Sequence, residues 1–158
     1  NLVALYLQEN VKLQDLSALC TLTKLETLDL SECQLVDDIQ PLSFLRQLQT
    51  LNLSYCRKIV DISPLSGLNK LSFLDLSWLE GITTVAALAR CPNLETLNLR
   101  QARSLTDIHP LSGASELRTL NLNGCASLAD IGPLVYLTKL ETLDLSWMSE
   151  LTDVSPLQ

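Results

Sequence analysis

Cysteine, histidine and aspartate are the side chains in this sequence that could carry metal or nucleophilic chemistry. The chain has five cysteines and one histidine, His109. No C-x-x-C pair or Cys/His cluster has the spacing of a zinc site, and the five glycines are isolated, so no phosphate-binding loop is present. No serine or cysteine has a base placed beside it. The sequence therefore predicts no catalytic, cofactor or metal site, and His109 is interpreted as an exposed turn residue.

The elements that position these residues come from a repeat of 23 residues. The segment L-x-x-L-x-L, whose first leucine is taken as position 1, begins at Leu2, Leu25, Leu48, Leu71, Leu94, Leu117 and Leu140. A period in the twenties with this leucine spacing is typical of a leucine-rich repeat, with one strand and one turn per unit. We predict one α/β solenoid domain over residues 1–158. Its curved parallel sheet forms the concave face, short 3-10 turns or helices form the convex face, and there are about seven repeats.

The third unit shows how one repeat works. Leu51 and Leu53 are two residues apart and point into the core of a strand, whereas Thr50, Asn52 and Ser54 point to the exposed face. Four apolar residues of the return path are predicted to reach the same core: Ile59, Ile62, Leu65 and Leu68. The chain begins and stops inside a repeat without a polar cap, so we expect it to be a fragment of a longer protein.

The return path carries a second motif, D-I-x-P-L. It starts at Asp38, Asp61, Asp107 and Asp130, and at Asp153 with Val in place of Ile. Proline suits the first position of a short helical turn, and the preceding Asp and Ser side chains can accept its free backbone N–H groups. The aspartates are therefore predicted to cap turns. Residues 84–90 of the fourth unit lack proline and contain good helix formers, which predicts a short α-helix there.

The cysteines follow the repeat as well. Cys33, Cys56 and Cys125 occupy position 9 of their units, where a small buried thiol suits the core, and Cys91 replaces a core leucine. Cys33 and Cys56 lie in neighbouring units, at a separation that a disulfide could bridge. An odd number of thiols without an evident partner favours a reducing compartment, so we expect an intracellular, cytoplasmic protein. A signal peptide stays open, because the chain begins at Asn1 within a repeat.

The charge balance limits the class of partner. The chain has 18 acidic and 11 basic residues and a net charge of −7, which disfavours nucleic acid and anionic membranes. Its basic features, Arg57-Lys58 and the pair Arg100 and Arg103, are interpreted first as solvated edges of the repeats. No apolar run approaches the roughly eighteen residues of a membrane span. We expect a protein partner, and no small-molecule substrate.

The unit L-x-x-L-x-L-S-x-C-x-x-I-x-D-I-S-P-L-S-x-L, nearly complete over residues 48–68, resembles the repeats of kinetoplastid proteins, including the expression-site-associated proteins of trypanosomes. Its D-I-x-P-L part is also similar to the bacterial internalin-type repeat, which is one residue shorter and usually has Asn where the position-9 cysteines stand. Both families are binding scaffolds, so the resemblance implies a protein-recognition module.

A partner-binding site is predicted on the exposed face of three adjacent strands. Threonine is the usual residue at position 3, and Phe73 interrupts that column. Tyr55, Trp78 and Arg100 lie nearby, with Asp75 among them, and Tyr, Trp and Arg are enriched at interface hot spots. A competing interpretation folds Trp78, like Trp147, over the end of its strand as local packing. The Asp/Asn column at position 5 is interpreted as a polar ladder.

Three functions stay open at this point. The first and preferred one is a protein–protein interaction module that binds through the concave face. The second is a structural scaffold in a large, possibly cytoskeletal, assembly that contacts its neighbours through edges and the convex side. The third is the substrate-recruiting arm of an enzyme, such as a ubiquitin ligase, with the catalytic domain outside this chain. None of the three makes the chain itself an enzyme.

Overall fold

The computed structural model describes residues 1–158 as a stack of seven repeats. Seven three-residue strands form one parallel sheet in sequence order: β1 (Ala4–Tyr6), β2 (Thr27–Asp29), β3 (Thr50–Asn52), β4 (Phe73–Asp75), β5 (Thr96–Asn98), β6 (Thr119–Asn121) and β7 (Thr142–Asp144). Each repeat also contributes a short 3-10 helix: η1 (Ser17–Thr21), η2 (Gln40–Phe44), η3 (Ser63–Gly67), η4 (Ala86–Arg90), η5 (His109–Gly113), η6 (Gly132–Tyr136) and η7 (Ser155–Leu157). The predicted solenoid is confirmed. None of these helices has the length and apolar character needed to cross a membrane.

The 23-residue period sets the register of the sheet. Leu51 pairs with Leu28 on one side and with Leu74 on the other, so equivalent leucines form a continuous row. Leu51 and Leu53 are both fully buried, as their spacing predicts. They belong to a single core of 44 residues that runs the length of the stack. Burial of each leucine contributes about 1.5–3 kcal/mol, which makes the row the main source of stability.

The position-9 cysteines are buried, as predicted. The Sγ atoms of Cys33, Cys56 and Cys125 donate to backbone carbonyls of the preceding unit, at 3.1, 3.1 and 3.2 Å. Burial raises the pKa of the Cys56 and Cys125 thiols to about 12 in each case. All five cysteines are free, so the thiols of Cys33 and Cys56 are not bridged. These thiols therefore serve as core residues with one hydrogen bond each, protected from deprotonation.

Aspartate caps the turn that enters each 3-10 helix of the D-I-x-P-L type. The Oδ1 atom of Asp61 accepts a hydrogen bond from the backbone N of Ser63 at 2.8 Å. The same bond, at 2.7–2.8 Å, is made by Asp38, Asp107, Asp130 and Asp153. The predicted capping role is thus confirmed for aspartate. The serine role is different, because the Ser63 hydroxyl donates to Asp61 Oδ2 instead of accepting from the backbone.

The α-helix predicted over residues 84–90 is wrong. The fourth unit forms the 3-10 helix Ala86–Arg90, of the same length as those of the neighbouring repeats, with Leu88 N bonded to Val85 O. Thr84 replaces the usual aspartate, and its hydroxyl oxygen accepts from Ala86 N at 3.2 Å. Helix propensity amounts to a few tenths of a kcal/mol per residue. The fixed length of the return path and its packing between η3 and η5 outweigh that preference.

Candidate partner-binding face

Phe73 stands on the exposed side of β4, at the centre of the predicted site. It pairs in register with Thr50 of β3 and Thr96 of β5, which present much smaller side chains. The strand alternation that buries Leu74 turns Phe73 away from the core, and its side chain stays 37% exposed. A large apolar side chain is thereby displayed on a face that is otherwise mostly polar.

Asp75 is engaged within the sheet. Its Oδ1 atom accepts from Ser77 N at 2.8 Å, and its Oδ2 atom accepts from Asn98 Nδ2 at 2.9 Å. Asn52 and Asp29 form an equivalent pair at 3.3 Å two repeats earlier in the stack. The predicted polar ladder is therefore present as separate Asp–Asn pairs. Because both oxygens of Asp75 are used in this way, its carboxylate holds the strand ends that carry the neighbouring side chains.

An aromatic stack follows the ends of β3 and β4. The rings of Tyr55 and Trp78 have centroids 5.1 Å apart and planes inclined by 17°. The guanidinium of Arg57 lies 5.6 Å from the Tyr55 ring and 5.4 Å from the Trp78 ring, and it pairs with Glu80 at 3.5 Å. The competing interpretation of Trp78 as local packing is thus partly correct, because the ring is half-buried by its neighbours.

Position 8 has a left-handed backbone in every repeat. The residues with this conformation have φ between 60° and 73°: Glu9, Glu32, Tyr55, Trp78, Gln101, Gly124 and Trp147. In the first six repeats the position-8 N–H continues the hydrogen-bonded ladder, as from Tyr55 N to Ser77 O at 2.9 Å. A left-handed residue other than glycine costs roughly 1–2 kcal/mol. We call these seven turns the rim. They direct large side chains along one edge of the sheet.

Arg100 lies on the exposed side of the next unit, at position 7. Its side chain is exposed and has no carboxylate within ion-pair distance. Its charge nevertheless reaches across the face. The pKa of the Asp144 carboxyl is lowered mainly by hydrogen bonds from Ser146 and, to a smaller extent, by Arg100. Arg100 thus adds a positive charge to the exposed face, on the repeat that follows Phe73 and Trp78.

The structure places the five predicted residues on three consecutive repeats, and it adds Arg57 to them. Arg57 is interpreted from the sequence as a solvated edge, whereas its guanidinium lies against Tyr55 and Trp78. An arginine two residues after Tyr55 and one repeat before Trp78 is the signal that could identify it. Tyr6 on β1 is also exposed, at 63%, but lies two repeats before Tyr55.

The single histidine lies apart from this face. His109 is exposed at the start of η5, as predicted, and its Nδ1 is 3.7 Å from Asp107, the residue that caps the same turn. No group of three His, Cys, Asp or Glu side chains lies close enough together to hold a metal ion. The distinctive groups of the molecule are therefore those on the sheet face and the rim.

Comparison with known proteins identifies the class. Residues 1–44 match the family described as leucine-rich repeats in two copies. The chain aligns over 99% of its length with internalin C2 of Listeria monocytogenes, at 34% identity and a TM-score of 0.84. The corresponding values for a second Listeria internalin, inlF, are 99%, 31% and 0.85. The chain is a leucine-rich-repeat protein, and proteins of this class are in general interaction modules built around extended binding surfaces.

The same comparisons set the extent of the likeness. The chain spans 66% of the length of internalin C2 and 44% of that of inlF. A leucine-rich-repeat protein of Leptospira interrogans, LIC12759, shares the fold at 23% identity and a TM-score of 0.71, over 92% of this chain and 37% of that protein. No curated protein matches the chain as a relative. The two internalin structures support the resemblance to internalin-type repeats that the sequence indicates.

Proposed function

We propose that the chain binds a protein partner through the concave face of β3 to β5, with Phe73 and Arg100 at the centre of the site. The observation that carries the proposal is the exposure of Phe73 between two threonines in the strand register. Its aromatic ring offers apolar area, and Arg100 on the next repeat offers a charge that no internal carboxylate pairs. Aromatic residues and arginine are the types enriched at interface hot spots.

The Tyr55–Trp78 stack would border this site. Stacking and the Arg57 guanidinium already hold the Trp78 ring in place, so little side-chain entropy remains to be lost on binding. Asp75 would support the site without contacting the partner, because its hydrogen bonds fix the end of β4 relative to β5. The site thus combines a pre-organised border with two exposed groups.

The test compares two double variants of the full-length parent protein. Phe73→Ala with Arg100→Ala removes the centre of the site. Phe44→Ala with Arg90→Ala removes the same residue types from η2 and η4 on the convex side, where both are exposed. Circular dichroism first establishes that both variants are folded. Quantitative affinity capture and then titration calorimetry with the captured protein compare them with the wild type.

The expected result is loss of one specific partner in the Phe73/Arg100 variant and unchanged binding in the convex control. Truncation of hot-spot residues costs about 2 kcal/mol or more each, so the affinity should fall by at least roughly thirtyfold. Retention of every partner by the Phe73/Arg100 variant would refute the site.

One observation favours the scaffold alternative. Large apolar side chains are also exposed on the convex side, where Phe44 is 57% and Tyr136 is 62% exposed. An assembly that grips the solenoid from that side would use them. Loss of the partner in the Phe44/Arg90 variant, with binding retained in the Phe73/Arg100 variant, would favour this function.

We also propose a reducing, cytoplasmic location, which the cysteines support. Cys33, Cys56 and Cys125 are buried donors in the core, and no disulfide is formed. The same column supports the resemblance to kinetoplastid repeats, which stays a prediction. In the native protein at pH 8, iodoacetamide should modify the partly exposed Cys20 and leave Cys56 and Cys125 intact, because burial raises their pKa to about 12. Disulfides found by mass spectrometry of the protein from its native source would contradict the location.

A further inference from the structure

The rim is interrupted in the sixth repeat. Gly124 occupies position 8 there, with φ of 73°, between Gln101 of the fifth repeat and Trp147 of the seventh. Gln101 and Trp147 are two strand spacings apart, or roughly 10 Å. Together with Arg103 and Ala126, the three position-8 residues line a shallow depression of about 310 Å³. We call this depression the notch.

Trp147 forms one wall of the notch and is left almost bare. Its side chain is 83% exposed, and the preceding position-8 residue, Gly124, offers it no ring to stack against. The opposite wall is a planar polar pair, in which Arg103 Nε donates to Gln101 Oε1 at 2.9 Å. The Gln101 amide reaches over Gly124, since a Cβ on Gly124 would lie 2.1 Å from the Gln101 Nε2 atom. The Gln101 amide and the Trp147 ring therefore border a position that has no side chain of its own.

Two repeats earlier, an arginine at the same repeat position has both an aromatic ring and a carboxylate as neighbours. Arg57 stands at position 10, as Arg103 does, and the next repeat supplies it with the Trp78 ring at position 8 and the Glu80 carboxylate at position 10. The repeat after Arg103 offers Gly124 and Ala126 at those positions. Arg103 accordingly has no carboxylate within ion-pair distance, on a chain of net charge −7. The notch lacks the two groups that Trp78 and Glu80 provide for Arg57.

We propose that the notch binds a segment of a protein partner that carries an aromatic side chain and an acidic side chain two residues apart. The aromatic ring packs against the face of Trp147 beside the Gln101 amide, and the carboxylate pairs with the Nη atoms of Arg103, which have no internal hydrogen bond. The proposal extends protein binding to a second surface. It rests on the proposed class of function but on none of the residues around Phe73.

The test uses the capped peptide acetyl-Phe-Ala-Glu-amide as the probe, with acetyl-Phe-Ala-Gln-amide and acetyl-Ala-Ala-Glu-amide as controls. The protein has two tryptophans, so its spectrum of indole N–H groups has two signals, which single Trp→Phe variants assign. The Trp147 signal should shift with a dissociation constant on the order of 1 mM, typical of a small fragment, while the Trp78 signal stays fixed. Each control peptide should bind more weakly.

Three variants examine the roles of the residues. Arg103→Gln should weaken binding of the probe by roughly tenfold or more, because it removes a charge-assisted hydrogen bond. The matched variant Arg57→Gln should leave binding unchanged, since Arg57 holds the same repeat position but already has its ring and carboxylate. The double variant Gly124→Trp with Ala126→Glu supplies both missing groups internally and should abolish binding. Circular dichroism reports whether each variant is folded, and the Trp78 signal does so as well in the variants that keep Arg57.

Several outcomes would overturn the proposal. These are an unmoved Trp147 signal at saturating probe, equal binding by Arg103→Gln, or equal affinity for the three peptides. A shift of Trp147 with methyl β-D-glucopyranoside and not with the peptide would show a sugar site instead. Phe73 and Arg100 are unchanged in these experiments, so a negative result with the peptide does not refute the concave-face proposal. A negative result with the Phe73/Arg100 variant likewise does not refute the notch proposal.

Discussion

Trp78 and Trp147 occupy the same position of the repeat and have the same left-handed backbone, with φ of 64° and 61°. Their surroundings are opposite. Trp78 stacks on Tyr55 and lies under Arg57, whereas Trp147 is 83% exposed. The preceding repeat contributes to this difference, because it supplies Tyr55 and Arg57 to Trp78 but Gly124 and Ala126 to Trp147. In a solenoid, a side chain at an exposed position can pack against residues of the adjacent repeat. Where that repeat offers no such residue, the side chain is free to contact a partner.

The largest expected effect concerns the core under the two tryptophans. Leu79 follows Trp78 and is fully buried between repeats, whereas Met148 follows Trp147 and is 9% exposed in the last repeat. Leu79→Ala should lower the free energy of unfolding by about 2–5 kcal/mol. The loss for Met148→Ala should lie near or below the lower limit, because the Met148 side chain is less completely enclosed. Urea denaturation measures both. Equal losses would contradict the dependence on lateral neighbours.

The next effect separates the rings themselves. Trp78→Ala should cost about 1–2 kcal/mol, because it removes an aromatic pair and a cation–π contact. Trp147→Ala should change stability by no more than about 0.5 kcal/mol, as is usual for an exposed side chain without partners. Both replacements keep a side chain in the left-handed turn, so the backbone cost cancels. A destabilisation by Trp147→Ala as large as that by Trp78→Ala would mean that Trp147 has packing partners of its own.

Gly124→Tyr should give Trp147 a stacking partner like the one that Trp78 has in Tyr55. A ring at position 124 would meet Trp147 across one strand spacing, as Tyr55 meets Trp78, after the flexible end of Gln101 moves aside. A double-mutant cycle with Trp147→Ala should give a favourable coupling of about 0.5–1.5 kcal/mol. The Trp147 fluorescence should shift to shorter wavelength in the single variant. Zero coupling would show that repeat position alone does not create the stack.

The smallest effect tests the backbone that the two tryptophans share. Trp147→Gly should be more stable than Trp147→Ala by about 0.5–1 kcal/mol, because glycine relieves the left-handed strain and loses part of that gain to chain entropy. The pair is compared by the midpoint of chemical denaturation. If alanine were the more stable replacement, the positive φ at Trp147 would not hold in solution.

The sequence was sufficient to predict the arrangement along the stack. Leu51 and Leu53 define the buried side of a strand, and Asp61 defines the entry to a turn, because both depend on spacing and on local hydrogen bonds. The kind of helix at residues 84–90 could not be obtained in this way, since tertiary packing outweighs propensity there. Spacing placed Phe73 and Arg100 on one face as well, without revealing what they bind.

The rim lay outside what the pattern could predict. Its positive φ occurs in all seven repeats, and Gly124 is the only residue at position 8 whose type signals it. The stacking of Arg57 on Trp78 joins position 10 of one repeat to position 8 of the next. Columns of equivalent positions do not show such a contact. Diagonal neighbours between adjacent repeats are therefore needed to find such a site.

The buried thiols give the stack a direction. Cys56 donates to Leu30 O and Cys125 to Leu99 O, so each of these units satisfies a carbonyl that belongs to its predecessor. The thiol of such a unit donates a hydrogen bond to a carbonyl of the repeat before it. Its own equivalent carbonyl can accept a hydrogen bond from the thiol of the repeat after it. Duplication of such a 23-residue segment in the gene would insert a unit whose hydrogen bonds match on both sides. Lengthening by whole units is then structurally silent, whereas insertion of a partial unit disrupts every contact across the junction.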